Sequence, residues 1–338
     1  MSEVATYRLL IGDAKEQLRT LPDASVQCCV TSPPYWGLRD YGVDGQIGLE
    51  DTPDAYVERL VGVFREVWRV LRPDGTMWLN LGDSFANDGK SGLKPKDLVG
   101  VPWRVAFALQ GDGWWLRSDC IEEVELYCPC GCGYVLEERI WRYAPDRDIV
   151  WAKSQPMPES VRDRPTRSHE YVFLLAKAER YYYDAAAIRE PAVAANYHDI
   201  TGPGYSAPGQ TVQSGNRRDK QRGHSRRHAG FNDRWDQMTK AEQMAGGRNK
   251  RDVWTVATRG YSGAHYAVMP EAIAETCILA GCPVGGTVLD PFAGSGTTLA
   301  VANRLGRHAV GIELNPTYAK LIDQRCSQLS WVTGGAGP

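Results

Sequence analysis

At 338 residues the chain is long enough to bury a substantial core, as one large α/β domain with insertions or as two smaller domains, and it needs no staples to fold. The start, 1–7, has neither a basic n-region nor an apolar h-region, and no later stretch is continuously apolar over a membrane-spanning length, so a soluble, intracellular protein is expected. Nine scattered cysteines suit a reducing compartment rather than a disulfide framework, and a formal charge of -2 means that any phosphate contact must come from a local patch.

Tyr7–Ile11 and Val26–Thr31 read as short buried strands separated by a helix around Ala14–Arg19 and a turn at Pro22-Asp23. Thr52 and Pro53 look like an N-cap and a first helical residue. Val57, Leu60, Val61, Phe64, Val67, Trp68 and Leu71 then recur at helical spacing until Arg72-Pro73-Asp74-Gly75 stops the run. A strand over 76–81, a helix over 102–110 and a strand near 114–117 continue the alternation. That rhythm predicts a mostly parallel sheet covered by helices. The pattern breaks over 119–148, a cysteine-bearing insertion, and resumes at Ile149-Val150-Trp151. The stretches 171–176 and 180–183 look like a hairpin. Order becomes doubtful over 191–251, where Gly, Ser, Gln, Asn and Arg dominate. A helix over 270–280, a strand Thr287–Asp290, a helix over 297–305, a strand over 309–313 and a helix over 316–328 close the chain.

Two runs carry chemistry. In Val30-Thr31-Ser32-Pro33-Pro34-Tyr35-Trp36, rigid prolines and an aromatic at the end of an apolar run describe a pocket for a flat amine, although a proline pair is also a common turn device. In Val288-Leu289-Asp290-Pro291-Phe292-Ala293-Gly294-Ser295-Gly296-Thr297-Thr298, a strand leads through a glycine-rich turn into a helix, which lets backbone approach a ligand closely. Glu313 ends the next strand about twenty residues on, where an acid can accept both hydroxyls of a ribose. The turn lacks a Gly-Lys-Ser/Thr ending and any basic residue for a triphosphate, which argues against an ATPase.

Together the two runs resemble the catalytic and cofactor motifs of the S-adenosylmethionine-dependent DNA amino-methyltransferases. The catalytic run comes first, which is the permuted order of their β group. The resemblance extends to Asn80-Leu81-Gly82-Asp83-Ser84, Ser168-His169-Glu170-Tyr171 and His265-Tyr266-Ala267-Val268-Met269-Pro270. It implies a Rossmann-like α/β methyltransferase sheet, mostly parallel with a hairpin, in permuted order and with inserted segments. The catalytic half is 1–118, the cysteine insertion 119–148, the continued methyltransferase domain 149–190, a basic target-recognition region 191–252 and the cofactor half 253–338.

The resemblance also implies roles. Ser32 Oγ and the Pro33 carbonyl would accept the hydrogens of an exocyclic amine, drawing a delocalised nitrogen towards a tetrahedral form, with Pro34 aiming that carbonyl. Tyr35 would stack on a base swung out of the duplex, with Trp36 beside it. Asp290, Phe292, Ala293, Gly294, Ser295 and Gly296 would border the methionine part of S-adenosylmethionine, and Glu313 would hold its ribose. Thr31 precedes the catalytic serine at the same site, while Thr297 and Thr298 cap the helix or touch the cofactor carboxylate. Asp13 would lie near the adenine, or act only as a helix N-cap. His265 would lie near the methionine end. The serine form favours N4 of cytosine over N6 of adenine, and direct transfer needs no nucleophilic cysteine, so Cys28 and Cys29 read as buried strand residues.

Double-stranded DNA is the expected partner, met by the basic run that includes Arg217, Arg218, Lys220, Arg222, Arg226 and Arg227. Cys120, Cys128, Cys130 and Cys132 supply four thiols that suit a structural zinc, but Cys-x-Cys-x-Cys lacks paired knuckles, and free thiols are the alternative. A DNA-binding regulator without catalysis and a protein or small-molecule methyltransferase are the competing classes. The sequence leaves open a cognate restriction endonuclease and the choice between monomer and homodimer.

Overall fold

Five strands in the order β1 (Tyr7–Ile11), β11 (His308–Glu313), β10 (Thr287–Asp290), β2 (Val26–Thr31) and β3 (Leu71–Leu81) run parallel from one edge of a nine-stranded sheet. The computed structural model describes residues 5–86, 92–117, 122–127, 135–142, 150–153, 163–191, 247–256 and 269–332. Beyond β3 the sheet continues antiparallel to β8 (His169–Ala176), which also pairs with β4 (Trp115–Leu116) and β7 (Val150–Lys153). β9 (Val253–Val256) closes the edge parallel to β7.

Helix α2 (Pro53–Val70) shows why the local sequence folds as it does. Thr52 Oγ1 accepts the Ala55 N–H at 3.2 Å, Pro53 fills a position with no donor to lose, and Tyr56, Leu60, Phe64 and Val67 line the face turned to the sheet, all fully buried. Burying each such side chain stabilises the fold by roughly 1.5–3 kcal/mol. The strand after it differs from expectation: β3 begins at Leu71, not Thr76. Val26 pairs with Leu71 and Cys28 with Thr76, so 72–75 bulge out of a strand that already started. Pro73 cannot donate to a ladder, and a side chain at Gly75 would crowd the Arg72 and Gln27 carbonyls at 3.0 and 3.1 Å.

The expected hairpin over 171–183 does not form. Both edges of β8 are taken, by β3 on one side and by β4 and β7 on the other, and the Tyr182 N–H donates to Asp74 O at 2.9 Å instead. Tyr183 stacks on Trp78 with ring centroids 6.3 Å apart. The insertion contains an antiparallel pair, β5 (Glu122–Tyr127) with β6 (Val135–Arg142). Its four cysteines, His265 and the basic run 217–227 lie outside the described residues.

Helices α1 (Ala14–Arg19), α3 (Val101–Gly111), α4 (Glu271–Gly281), α5 (Thr297–Arg304) and α6 (Pro316–Val332) complete the described helices. None is long and apolar enough to cross a membrane. The chain divides into one unit of Met1–Asp184 with Arg251–Pro338 and another of Ala185–Lys250. Within the second, Glu190 and Arg248 exchange backbone hydrogen bonds of 2.9 Å, and the Arg248 guanidinium lies 3.0 Å from the Glu190 carboxylate.

Every residue of β2 is buried, and Val288 and Leu289 of β10 lie opposite Cys28 and Cys29. β2 leads through α2 to β3 on one side, whereas β10 leads through α5 to β11 on the other. The crevice at the carboxyl ends of β2 and β10 is therefore the point where the winding direction switches, the usual ligand position in such sheets.

Candidate active site

Adjacency of β2 and β10 brings the two sequence runs together. Thr31 Oγ1 donates to Asp290 Oδ1 at 2.6 Å across 259 residues of chain, and Thr298 Oγ1 donates to the Val30 carbonyl at 3.3 Å. The Phe292 N–H also reaches Asp290 Oδ1, at 3.1 Å. Burial pushes the Asp290 carboxyl up to about 6, against the pull of the Thr31, Thr298 and Phe292 donors. Beside it, Glu313 accepts the N–H groups of Gly294 and Asn315, each at 2.8 Å. Burial pushes this carboxyl up to about 7, and the nearby Asp290 charge adds a smaller rise.

These residues line an open cleft of about 960 Å³ whose walls include Asp13, Ser32, Pro34, Phe292, Ala293, Ser295 and Thr297. Gly12, Tyr41, Gln46, Ile47, Asn315 and Tyr318 also line it and were not singled out by the sequence. Asp13 does cap α1, accepting the Glu16 N–H at 3.1 Å, and it faces the cleft as well. Gly294 has a φ of 54° and turns its N–H to Glu313, a backbone shape that favours glycine. Gly296 is different: it caps α5 and does not line the cleft, and a Cβ there would press on Ile322 at 3.1 Å. Thr297 and Thr298 do not cap α5 through their side chains. Thr297 Oγ1 instead accepts from Arg325 at 3.0 Å.

The catalytic run leaves β2 and turns. Ser32 and Pro34 line the cleft, whereas Pro33 is buried behind it. The Pro34 carbonyl is occupied by the Tyr56 hydroxyl at 2.8 Å, which fixes the turn. The Trp36 indole N–H donates inward to the Glu50 carbonyl at 2.8 Å. Tyr35 is held by groups that sequence reading gave no role. Its hydroxyl donates to Glu170 Oε2 at 2.7 Å and lies 3.3 Å from Ser32 Oγ, and Asn80 Nδ2 lies 3.0 Å from both Tyr35 Oη and Glu170 Oε2. Lys153 Nζ is 2.6 Å from the other Glu170 oxygen. Burial and the Glu170 charge both raise the Tyr35 pKa well above its usual value, so the phenol stays protonated.

The run Asn80-Leu81-Gly82-Asp83 now has a physical account. Asn80 reaches Tyr35, a Cβ at Gly82 would lie 2.6 Å from the Tyr35 ring, and Asp83 accepts the Gly100 and Val101 N–H groups at 3.2 and 3.0 Å to cap α3. A polar Asn80 and Gly82 bracketing the end of an apolar strand were the sequence signal for this contact. Cys28 and Cys29 are fully buried, which raises both thiols well above the ordinary range and leaves no thiolate near the cleft. Among the described residues no group of three or more His, Cys, Asp or Glu is arranged to hold a metal.

A parallel sheet with a switch-point cleft, an acid closing the second strand and a Ser-Pro-Pro-Tyr turn at its mouth define a class, and the comparisons agree with it. The profile of the N6_N4_Mtase family, described as DNA methylase, matches residues 26–324, and the chain belongs to that family of DNA amino-methyltransferases. It is 41% identical over 96% of its length to the Type II methyltransferase M.SmaI of Serratia marcescens, covering 92% of that protein. It is 40% identical to M.Cfr9I of Citrobacter freundii over 94% of the chain and 86% of the relative. Among solved structures, TTHA0409 of Thermus thermophilus complexed with S-adenosyl-L-methionine is similar at a TM-score of 0.56, with 25% identity and 96% and 94% coverage. The PvuII DNA methyltransferase (cytosine-N4-specific) shares the fold at a TM-score of 0.59 and 16% identity, over 98% of this chain and 92% of that one.

Proposed function

We propose that this chain methylates the N4 amine of a flipped-out cytosine in duplex DNA, with S-adenosylmethionine as methyl donor. The observation that carries the reading is the Thr31–Asp290 hydrogen bond, which sets Ser32 at the mouth of a cleft walled by Asp290, the glycine turn and Glu313. The cleft fits that donor: its two acids complement a sulfonium and a ribose, and glycine backbone lines the approach. When bound, the donor supplies an electrophilic methyl on a positively charged sulfur. Glu313 would hold the ribose hydroxyls, and the Asp290 side of the cleft the methionine end.

Ser32 at the cleft would accept one amine hydrogen, and the Pro33 carbonyl, for which no described protein hydrogen bond competes, would accept the other from behind it. The Tyr35 ring offers stacking surface towards the base, and stacking offsets the few kcal/mol that extrusion costs. Serine rather than Asp or Asn at position 32 supports cytosine. The region 191–252 would read the target, with arginines on phosphates and on guanine edges. Mass analysis of nucleosides from duplex DNA treated with the purified protein tests the reading. N4-methylcytosine is expected, and N6-methyladenine without it would overturn the base assignment.

A further inference from the structure

Methyl transfer to a neutral amine leaves one proton to be removed, and the reading above names no destination for it. The groups behind Ser32 supply one. Tyr35 donates its only hydroxyl hydrogen to Glu170 at 2.7 Å, so towards Ser32, 3.3 Å away, the phenolic oxygen is an acceptor. The Ser32 hydrogen therefore points to Tyr35, and of the two Oγ lone pairs one meets Asn80 Nδ2 at 3.4 Å and one is left for the substrate. Asn80, 2% exposed, holds this polarity because its Nδ2 donates to both Tyr35 Oη and Glu170 Oε2.

We propose that Ser32, Tyr35 and Glu170 form the exit path for the amine proton, with Glu170 as its terminal acceptor acting through Tyr35. The proposal rests on the reading that Ser32 holds an exocyclic amine. As the amine lone pair forms the new nitrogen–carbon bond, the carbon–sulfur pair stays on sulfur and the nitrogen releases a proton to Ser32 Oγ. Ser32 passes its own proton to Tyr35 Oη, and Tyr35 passes its own to Glu170 Oε2. Both hydroxyls end unchanged, and Glu170 ends as a neutral acid beside Lys153, whose side chain is 24% exposed and connects the pair to water.

A protonated exocyclic ring amine is a far stronger acid than a carboxylic acid such as Glu170, so the transfer runs downhill. A purely structural role explains less. A buried ion pair between β7 and β8 is no more stabilising than an apolar pair of the same size, and it would not need a hydroxyl chain ending at the cleft. Among the described residues, the charged and titratable groups facing Glu170 are Lys153 on β7 and Tyr35 on the catalytic turn. On its own strand His169 lies in the combined field of Arg167, Lys153, Glu170 and Asp83, and burial lowers its pKa.

The test is single-turnover methylation of an unmethylated plasmid that the wild-type protein modifies, followed from pH 4.5 to 9 for Glu170→Gln and Tyr35→Phe. Affinities for S-adenosylmethionine and DNA are measured alongside. Expected are transfer rates about 100-fold lower in both variants, within the range for general acid–base groups. Cofactor affinity should be unchanged. The protonated-carboxyl infrared band seen during wild-type turnover should be lost in Glu170→Gln. Wild-type rates in either folded variant would overturn the proposal. If Glu170→Gln fails to bind cofactor through misfolding, Tyr35→Phe, which keeps the ring, decides alone. Loss of rate in Ser32→Ala with none in these two would leave the amine site standing and refute only the exit path. No loss in Ser32→Ala would refute the amine site itself.

Discussion

Cofactor affinity should depend steeply on pH through Glu313. The carboxyl is 8% exposed and raised to about 7, and a protonated acid cannot accept two ribose hydroxyls. Taking that value, about nine-tenths of the sites are ionised at pH 8 and about one-tenth at pH 6, so the Kd for S-adenosylmethionine should weaken roughly tenfold, or ~1.4 kcal/mol. Asp290, at about 6, should steepen the loss below that pH. Stability of the unliganded protein moves the other way. A carboxyl raised by burial contributes stability below its unfolded value near 4.5 and loses it as pH climbs through about 7, a change of about 3 kcal/mol over that window. Titration calorimetry at pH 6 in two buffers of different ionisation heat should show close to one proton released on binding. A Kd flat from pH 6 to 8 with no proton release would refute the assignment of Glu313 to the ribose.

Thr31→Val removes the 2.6 Å donor from a buried carboxylate at nearly constant volume, and urea unfolding above pH 7 should show a loss of about 1–3 kcal/mol that shrinks as pH falls below 6. Gly82→Ala places a methyl 2.6 Å from the Tyr35 ring, so methyl transfer should fall by more than about tenfold while cofactor affinity holds. Both are read by filter assay and calorimetry. Cys29→Ala should cost roughly 1–2 kcal/mol of stability in thermal melts and leave the transfer rate within about twofold, because direct transfer needs no thiolate.

The elements that declared themselves in the sequence were those whose signals are local. Thr52 and Pro53 announced α2, the apolar run Val26–Thr31 announced a strand buried on both faces, and Asp290 with the glycine turn announced a strand-to-helix ligand site. Errors arose where a partner far along the chain decided the outcome. The 72–75 stretch looked like a helix stop, yet β2 had already captured Leu71 into a strand. The 180–183 stretch looked like a hairpin arm, yet β8 had no edge left to offer. In the site, Ser32 and Tyr35 were legible because prolines mark them. Lys153 was not, and Asn80 and Glu170 stood in family-like runs without a role, since their meeting depends on three strands lying side by side. Tyr56 went unnamed in the helical run, and its hydroxyl on the Pro34 carbonyl was invisible to periodicity.

The placement of β10 and β11 between β1 and β2 has a consequence during synthesis. The first two strands leave the ribosome long before the pair that must lie between them, so the nascent sheet waits with two open edges until residues 287–313 appear. Folding then closes by insertion rather than by addition at a border, a late and non-local step that is slow by nature. A chain stopped before residue 287 lacks both the wedge and Asp290, so it carries the Ser-Pro-Pro-Tyr turn without the cleft beside it. Interrupted translation should therefore give no partly active methyltransferase, and activity should arise only once β10 and β11 are in place.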